Sequence, residues 1–184
     1  MLPRALNRPV TATLSATAVG VAALTLGAAT AAPSPSPTAV AAAERITRAG
    51  AGEVRLGMTF RELRDAGLVG RLTAGCELAG PDARSARLRS PLRGSVDFSQ
   101  TSPRRATNIA IRGGATARGV GVGARRARIR AAFPRARFDR STEEVFGITL
   151  VKIPRNGGGR LQFAVDVETR KVTLIGVPAI PFCE

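Results

Sequence analysis

A chain of 184 residues fits one domain, or two small lobes that share a core. It holds 28 Lys and Arg against 13 Asp and Glu, a net charge of +15, and it contains no His, Tyr or Trp. Without His, Ser/His/Asp and Cys/His catalysis is excluded and zinc lacks its usual imidazole ligands, so we expect a non-enzyme with no catalytic residue, metal or cofactor.

The N-terminal residues have the pattern of a secretory signal peptide. Arg4 and Arg8 supply a charged start, an apolar run covers residues 11–30, and Ala29-Thr30-Ala31 supplies the small residues that signal peptidase accepts. We therefore predict a signal peptide at residues 1–31, a mature chain without a membrane span, and a secreted location, outside the cell or in the cell wall. Because Ser and Thr interrupt the apolar run, a retained membrane anchor is the less favoured alternative.

Residues 32–52 are predicted to form a disordered spacer. Alternating Pro and Ser from Pro33 to Pro37, followed by a run of alanines, favour a stiff, solvated segment with little to bury. We expect the folded part to begin near Glu53.

The rest of the chain has the pattern of a duplication. With Gly57 placed on Gly123, a short strand before the glycine and a helix after it recur in both halves. In the same register, residues 95–111 lie over residues 161–177. The predicted fold class is α+β: two tandem repeats, each a short strand and a helix followed by an antiparallel meander, with the helices on one face of the sheet. The repeats are assigned to residues 53–116 and 117–184.

Local signals place the helices and strands in each half. Thr59 and Glu62 form a capping box that starts a first helix of about three turns. The second helix starts at Ala124 and Arg125, lacks a Ser or Thr cap, and is expected to fray there; Pro134 ends it. Alternating runs predict strands at residues 86–89, 95–99, 107–111, 146–153, 161–167 and 172–177, with turns at 156–159 and 168–170.

The chain has two cysteines, Cys76 and Cys183. In an exported protein we predict that they form one disulfide that joins the two repeats, with two unpaired thiols as the alternative. The bond would close a long loop that takes in the whole second repeat.

The motif Gly57-Met58-Thr59, followed by Glu62 and Leu63, resembles the G-M-T-x-x-E-V opening of small envelope proteins. These include the small lipoprotein of the outer-membrane barrel-assembly machinery and the tandem-repeat β-lactamase inhibitory proteins. The layout is also similar to that of a group of exported actinobacterial proteins with a G-M-T helix, a Cys, a G-x-G-V-G helix, three strands and a final Cys. The resemblance covers residues 53–184. It implies an exported α+β module without catalysis and supplies no binding residue.

A glycine motif at the second helix has two interpretations. Gly119-x-Gly121-x-x-Ala124 fits a permissive dinucleotide-binding pattern, with Asp139 at the distance where a ribose-binding acid would lie. However, the first half shares only the glycine at Gly57, and antiparallel hairpins are predicted to follow the helix. We interpret the motif as a strand-to-helix junction.

Arginines crowd the second helix and the residues after it. They could contact phosphates of an anionic envelope polymer or of lipid headgroups, or they could be an ordinary solvated helix surface enriched by coding bias. Sequence-specific nucleic-acid binding is not expected, because the aromatic residues that stack on bases are scarce. The candidate polyanion contacts are Arg125, Arg126, Arg128, Arg130, Arg135 and Arg137.

These observations favour an exported, non-catalytic binding module of the cell envelope or extracellular space. The first hypothesis is a protein-interaction module whose partner is an unknown protein. The alternative is a protein associated with a polyanion, either wall teichoic acid or anionic lipid, through the Arg-rich second helix.

Overall fold

The structure is a computed structural model that describes residues 43–154 and 160–182. These residues belong to one unit of the chain, Val40–Glu184. The predicted signal peptide, residues 32–42 of the predicted spacer, the predicted turn at 156–159 and Cys183 lie outside the described residues.

Strands outnumber helices in the described part of the chain. Three α-helices occur there, α1 (Phe60–Asp65), α2 (Arg126–Ala132) and α3 (Glu143–Phe146), together with a short 3-10 helix at Glu77–Ala79. The strands described are β1 (Glu44–Thr47), β2 (Gly50–Ala51), β3 (Val54–Arg55), β4 (Val69–Ala74), β5 (Arg84–Leu88), β6 (Arg93–Phe98), β7 (Ala106–Gly113), β8 (Ala115–Ala117), β9 (Val120–Gly121), β10 (Arg137–Asp139), β11 (Ile148–Ile153), β12 (Leu161–Asp166) and β13 (Val172–Val177).

Within the described residues, the strands form two sheets. The larger is antiparallel and eight-stranded, in the order β4-β5-β6-β7-β13-β12-β11-β10. Its two halves therefore run outward in mirrored order from the central β7–β13 pair, where Ile111 faces Ile175 and Ile109 faces Val177. The smaller sheet has the order β3-β2-β1-β8-β9, and its β1–β8 pair is parallel. With helices packed against these sheets, the fold is α+β.

The two strand-to-helix junctions make matching hydrogen bonds. Gly57 N donates to Ala106 O at 2.8 Å, and at the equivalent position of the second half Gly123 N donates to Val172 O at 2.7 Å. Both glycines have left-handed backbones, with φ of 85° and 88°. Only glycine adopts this conformation without strain, so the backbone turn explains both residues. The strands after α2 are antiparallel, whereas a dinucleotide fold needs a parallel crossover at this point.

The helices are shorter than predicted. α1 has six residues and α2 has seven, fewer than two turns each. The residues predicted to extend α1 instead lead into β4, which pairs with β5. α2 ends with Phe133 as its C-cap, directly before Pro134, as predicted.

The predicted capping box of α1 is confirmed. Thr59 Oγ1 accepts from Glu62 N at 3.2 Å, and Glu62 Oε2 accepts from Thr59 N at 2.7 Å. The bond from the Thr59 backbone, followed by the bond from its hydroxyl, holds the pKa of Glu62 below its usual value. At the start of α2, Arg125 is the N-cap and makes no such side-chain bond.

Because the two junctions differ in their caps, opposite substitutions should have opposite effects. Thr59→Ala is expected to lower the free energy of unfolding by about 1 kcal/mol, since one N-terminal amide of α1 loses its acceptor. Arg125→Thr is expected to raise it by a similar or smaller amount, because α2 gains an acceptor. Urea denaturation of both variants measures this. Equal losses in the two variants would contradict the role assigned to Thr59.

One large apolar core connects α1, α2 and both sheets. Leu63 of α1 and Ile129 of α2 are fully buried in it, together with Phe163 of β12. A smaller cluster of Ala110, Leu150, Ala164, Leu174 and Ile180 lies apart from it. Because side chains alternate along a strand, Phe163 and Ala164 point to opposite faces of the larger sheet. The C-terminal residues around Ile180 therefore cover part of the face opposite the main core.

Several sequence predictions need correction. The spacer predicted to reach residue 52 is wrong for residues 44–52, because β1 and β2 lie there and bury Ile46 and Ala51. These strands are too short to show an alternating apolar pattern in the sequence. They are identified by their hydrogen-bonded partners, because β1 pairs with β8 and β2 pairs with β3. The strand predicted at 146–153 begins at Ile148, because α3 precedes it.

Candidate anion-binding pocket

The structure divides the six arginines proposed as polyanion contacts. Arg126 and Arg130 lie one helical turn apart on α2, so they share one face of the helix, and both line the same pocket. The other four proposed arginines do not line this pocket. Arg135 borders a different cavity, and Arg137 lies on β10 beside Lys152. Arg125, at the start of α2, and Arg128, within it, are exposed.

We call the shared site the arginine pocket. It has a volume of about 410 Å³, and four arginines line it: Arg126, Arg130, Arg140 and Arg170. Arg140 comes from the segment before α3, and Arg170 from the turn between β12 and β13. Neither Arg140 nor Arg170 is among the six proposed contacts. Arg170 could not be predicted, because only the fold brings this turn to the start of α2. Arg126 N donates to Arg170 O at 3.0 Å there.

One aromatic ring supports two of these arginines. The guanidinium carbons of Arg126 and Arg130 lie 4.5 Å and 4.9 Å from the centre of the Phe138 ring on β10. Both distances are within the range of a cation–π interaction. Phe138 is itself half-buried against the main core, so it holds the two side chains beside the pocket.

These arginines have unused hydrogen-bonding capacity. Within the described residues, Arg126 Nε is the one buried side-chain nitrogen or oxygen without a hydrogen-bond partner. Among residues 43–154 and 160–182, Arg126, Arg130 and Arg170 also form no ion pair. A buried donor without an acceptor typically costs about 1–3 kcal/mol. The pocket therefore presents donors that favour an anionic acceptor.

The two carboxylates of the pocket are already engaged. Glu143 accepts from Thr149 Oγ1 at 2.6 Å and from Arg140 Nε at 2.8 Å. The Thr149 bond, followed by the Arg140 bond, lowers the pKa of Glu143. Asp166 accepts from Thr169 Oγ1 at 2.6 Å and from Thr169 N at 2.7 Å, and these bonds lower its pKa in the same way. Both groups are ionised at neutral pH, and four arginines against two carboxylates leave the pocket with two positive charges.

The first half of the chain has an apolar residue at the position of Arg126. Phe60 N donates to Arg104 O at 2.8 Å, the same backbone bond that Arg126 N makes to Arg170 O in the second half. The Phe60 ring packs edge-on against Phe98, with centroids 5.5 Å apart. An apolar side chain can therefore fill this junction, and the arginine in the second half is not required by the backbone there.

Two other cavities carry no site assignment. The first, about 650 Å³, is lined by Arg118, Arg135 and Phe133, but it borders Pro154 and Leu161, between which residues 155–159 are not described. The second, about 360 Å³, is lined by Asp97 and Asn108, among others. Burial raises the pKa of Asp97, and a hydrogen bond from Asn108 Nδ2 at 3.1 Å partly offsets this.

In the part of the chain that the structure describes, no group of three or more His, Cys, Asp or Glu side chains is placed to hold a metal ion. No helix among those residues has the length and apolar character needed to cross a membrane.

Comparison of the chain with protein-family models, with curated proteins and with solved structures gave no match in any of the three. The resemblance to small envelope modules therefore stays a prediction. The arginine pocket is the feature from which function is inferred.

Proposed function

We propose that this protein is an exported, non-catalytic binding module of the cell envelope or extracellular space, and that its arginine pocket binds phosphate groups of an anionic polymer. Wall teichoic acid is one polymer of this chemical class. The observation that carries the proposal is a set of three guanidinium groups, those of Arg126, Arg130 and Arg170, which line the pocket and form no ion pair within the described residues. The buried Arg126 Nε is one of their donors.

Arginine is well suited to this role. Its planar guanidinium donates two parallel hydrogen bonds to a phosphate or carboxylate, and charge-assisted bonds of this kind are about twice as strong as neutral ones. Arg126 and Arg130 are held against Phe138, so they lose less side-chain freedom when a ligand binds. These features support the polyanion hypothesis more directly than the protein-interaction hypothesis.

We also propose that the two halves of the chain arose by duplication and then diverged in function. The mirrored order of the larger sheet and the matching junction bonds of Gly57 and Gly123 support this history. Under this proposal, Phe60 packs the junction of the first half against Phe98, whereas Arg126 at the aligned position of the second half binds the anion.

A matched pair of double variants tests the proposed function. Arg126→Gln/Arg130→Gln removes two charges from the pocket, and Arg125→Gln/Arg128→Gln removes two charges from α2 and its N-cap outside the pocket. The probe is soluble polyphosphate, with affinity measured by isothermal titration calorimetry at several salt concentrations. The pocket variant is expected to lose at least about tenfold in affinity, because each charge-assisted bond contributes about 1.5–3 kcal/mol. The control is expected to change by less than about threefold.

Counterion release predicts that binding of the parent protein weakens steeply as salt rises. Equal losses in the two double variants would show that diffuse positive charge binds the polymer, which contradicts the pocket. Failure of the parent protein to bind polyphosphate at low salt would refute the proposed function altogether.

A further inference from the structure

Three exposed apolar side chains lie at the end of α3 and just after β12, and one of them borders the arginine pocket. Val145, Phe146 and Val167 are 71%, 40% and 41% exposed. Val167 N donates to Gly147 O at 3.0 Å, which brings the end of α3 next to the end of β12. Val167 also lines the arginine pocket. We call these three residues the apolar tip.

The fold holds the apolar tip in place and keeps it exposed. Thr149 and Arg140 fix Glu143 at the start of α3, and Thr142 Oγ1 donates to Ile148 O at 2.6 Å. The Phe146 ring stacks against Phe182, with centroids 4.7 Å apart. Of the five exposed large hydrophobic residues in the described part of the chain, three belong to this tip. The other two, Leu78 and Val122, lie elsewhere in the sequence.

Resting on the proposed function, we propose that the apolar tip and the arginine pocket together form a docking surface for an anionic phospholipid bilayer. The pocket takes the phosphate of a headgroup, and Val145, Phe146 and Val167 enter the boundary between headgroups and acyl chains. A soluble phosphate polymer offers nothing that would bury these apolar side chains, whereas a lipid surface supplies both the anion and the apolar layer. Membrane attachment at an interface generally needs two such signals acting together.

Glu144 provides a variant with the opposite expected effect. It is exposed on α3, between Glu143 and Val145, and its charge opposes an anionic surface. Glu144→Gln is therefore expected to strengthen vesicle binding about threefold, since one charge near the surface changes the attraction by about that factor or more. Because Glu144 is exposed, its substitution is not expected to disturb the fold, and circular dichroism checks this.

Co-sedimentation with vesicles of phosphatidylglycerol and phosphatidylcholine tests the inference, with soluble polyphosphate as the parallel probe. Val145→Ser/Phe146→Ser, at two residues that do not line the arginine pocket, is expected to lower affinity for phosphatidylglycerol vesicles about tenfold and to leave polyphosphate binding unchanged. Arg126→Gln/Arg130→Gln is expected to lower both. Leu78→Ser, which removes an exposed leucine from the first half, is the matched control and should change neither.

The outcomes separate the two proposals. If Val145→Ser/Phe146→Ser binds vesicles as tightly as the parent, or if vesicles of phosphatidylcholine alone bind equally well, the lipid inference is overturned while polyphosphate binding still supports the proposed function. If Arg126→Gln/Arg130→Gln keeps full affinity for polyphosphate and for vesicles, both proposals fail. Circular dichroism of each variant confirms that the fold is kept.

Discussion

Replacing Phe163 with alanine is expected to lower the free energy of unfolding by about 3–5 kcal/mol, because it empties the centre of the main core. Phe163 has no exposed surface. On β12 it faces Val151 of β11 on one side and Ile175 of β13 on the other. Its ring lies 5.6 Å from the ring of Phe133, at the end of α2. The substitution therefore removes contacts between the larger sheet and the helix that carries Arg126 and Arg130.

Urea denaturation followed by circular dichroism measures this loss, with the m-value as a check that the unfolded state is unchanged. Phe163→Leu is a milder comparison and should cost less than about half as much, since most of the volume is kept. Phe60→Ala is the matched control, because Phe60 is only half-buried. A loss at Phe60 as large as that at Phe163 would contradict the central position assigned to Phe163.

Local signals were the most predictable part of the fold. The Thr59–Glu62 capping box, the stop at Pro134 and the turn after β12 follow from short-range chemistry, and each is found in the structure. β13 begins and ends at the predicted residues, Val172 and Val177. These features depend on neighbouring residues, so a single sequence contains the information that specifies them.

β12 shows where the sequence pattern was insufficient. The apolar residues Leu161, Phe163 and Val165 were predicted to face the core, and they do. The residues between them were expected to face solvent, which would make the strand half-buried. Instead, Gln162 and Ala164 on the other face are also buried. The reason is a contact over a long sequence separation, because Ile180 N donates to Gln162 Oε1 at 2.9 Å. No period in the sequence indicates that the C-terminal segment returns to cover this face.

The candidate site was predictable only in part, for a similar reason. The excess of arginine in α2 indicated a candidate anion site, and Arg126 and Arg130 were among the residues proposed as polyanion contacts. Arg170 comes from a turn that three further strands separate from α2 along the chain. Backbone bonds between this turn and the start of α2, among them the bond from Arg126 N to Arg170 O, bring it to the pocket. One signal was present in the repeat alignment itself, since placing Gly57 on Gly123 also places Phe60 on Arg126. A charged residue aligned with an apolar one marks a position where the two halves differ in role.

The second large effect concerns the predicted disulfide. Reduction of a bond between Cys76 and Cys183 is expected to lower the free energy of unfolding by up to about 4.7 kcal/mol, the contribution of a bond that closes a loop of roughly 100 residues. Cys183 lies outside the described residues, so the pairing stays a prediction. The described part of the chain contains no free cysteine. Cys76 lines the same cavity, about 360 Å³, as Pro178 and Pro181, which shortly precede the C-terminal cysteine.

The contacts around this cavity indicate what reduction should disturb first. Ala179 N donates to Asn108 Oδ1 at 3.3 Å, and Ile180 is buried against the smaller apolar cluster. These contacts cover the sheet face opposite the main core, and the Phe182 ring continues from them to Phe146 of the apolar tip. Loss of the bond is therefore expected to loosen the C-terminal segment before the main core unfolds, and to weaken vesicle binding more than polyphosphate binding.

Thermal unfolding with and without a phosphine reductant measures the stability loss, and a Cys76→Ser variant should show the same loss without reductant. Mass spectrometry after alkylation provides the control for the bond itself. Two alkylated thiols in the unreduced, denatured protein would refute the pairing. An unchanged melting temperature on full reduction would show that the contacts of residues 178–182 hold the segment without it. In that case the covering of the sheet face depends on packing alone, and the apolar tip keeps its support from Phe182 in either redox state.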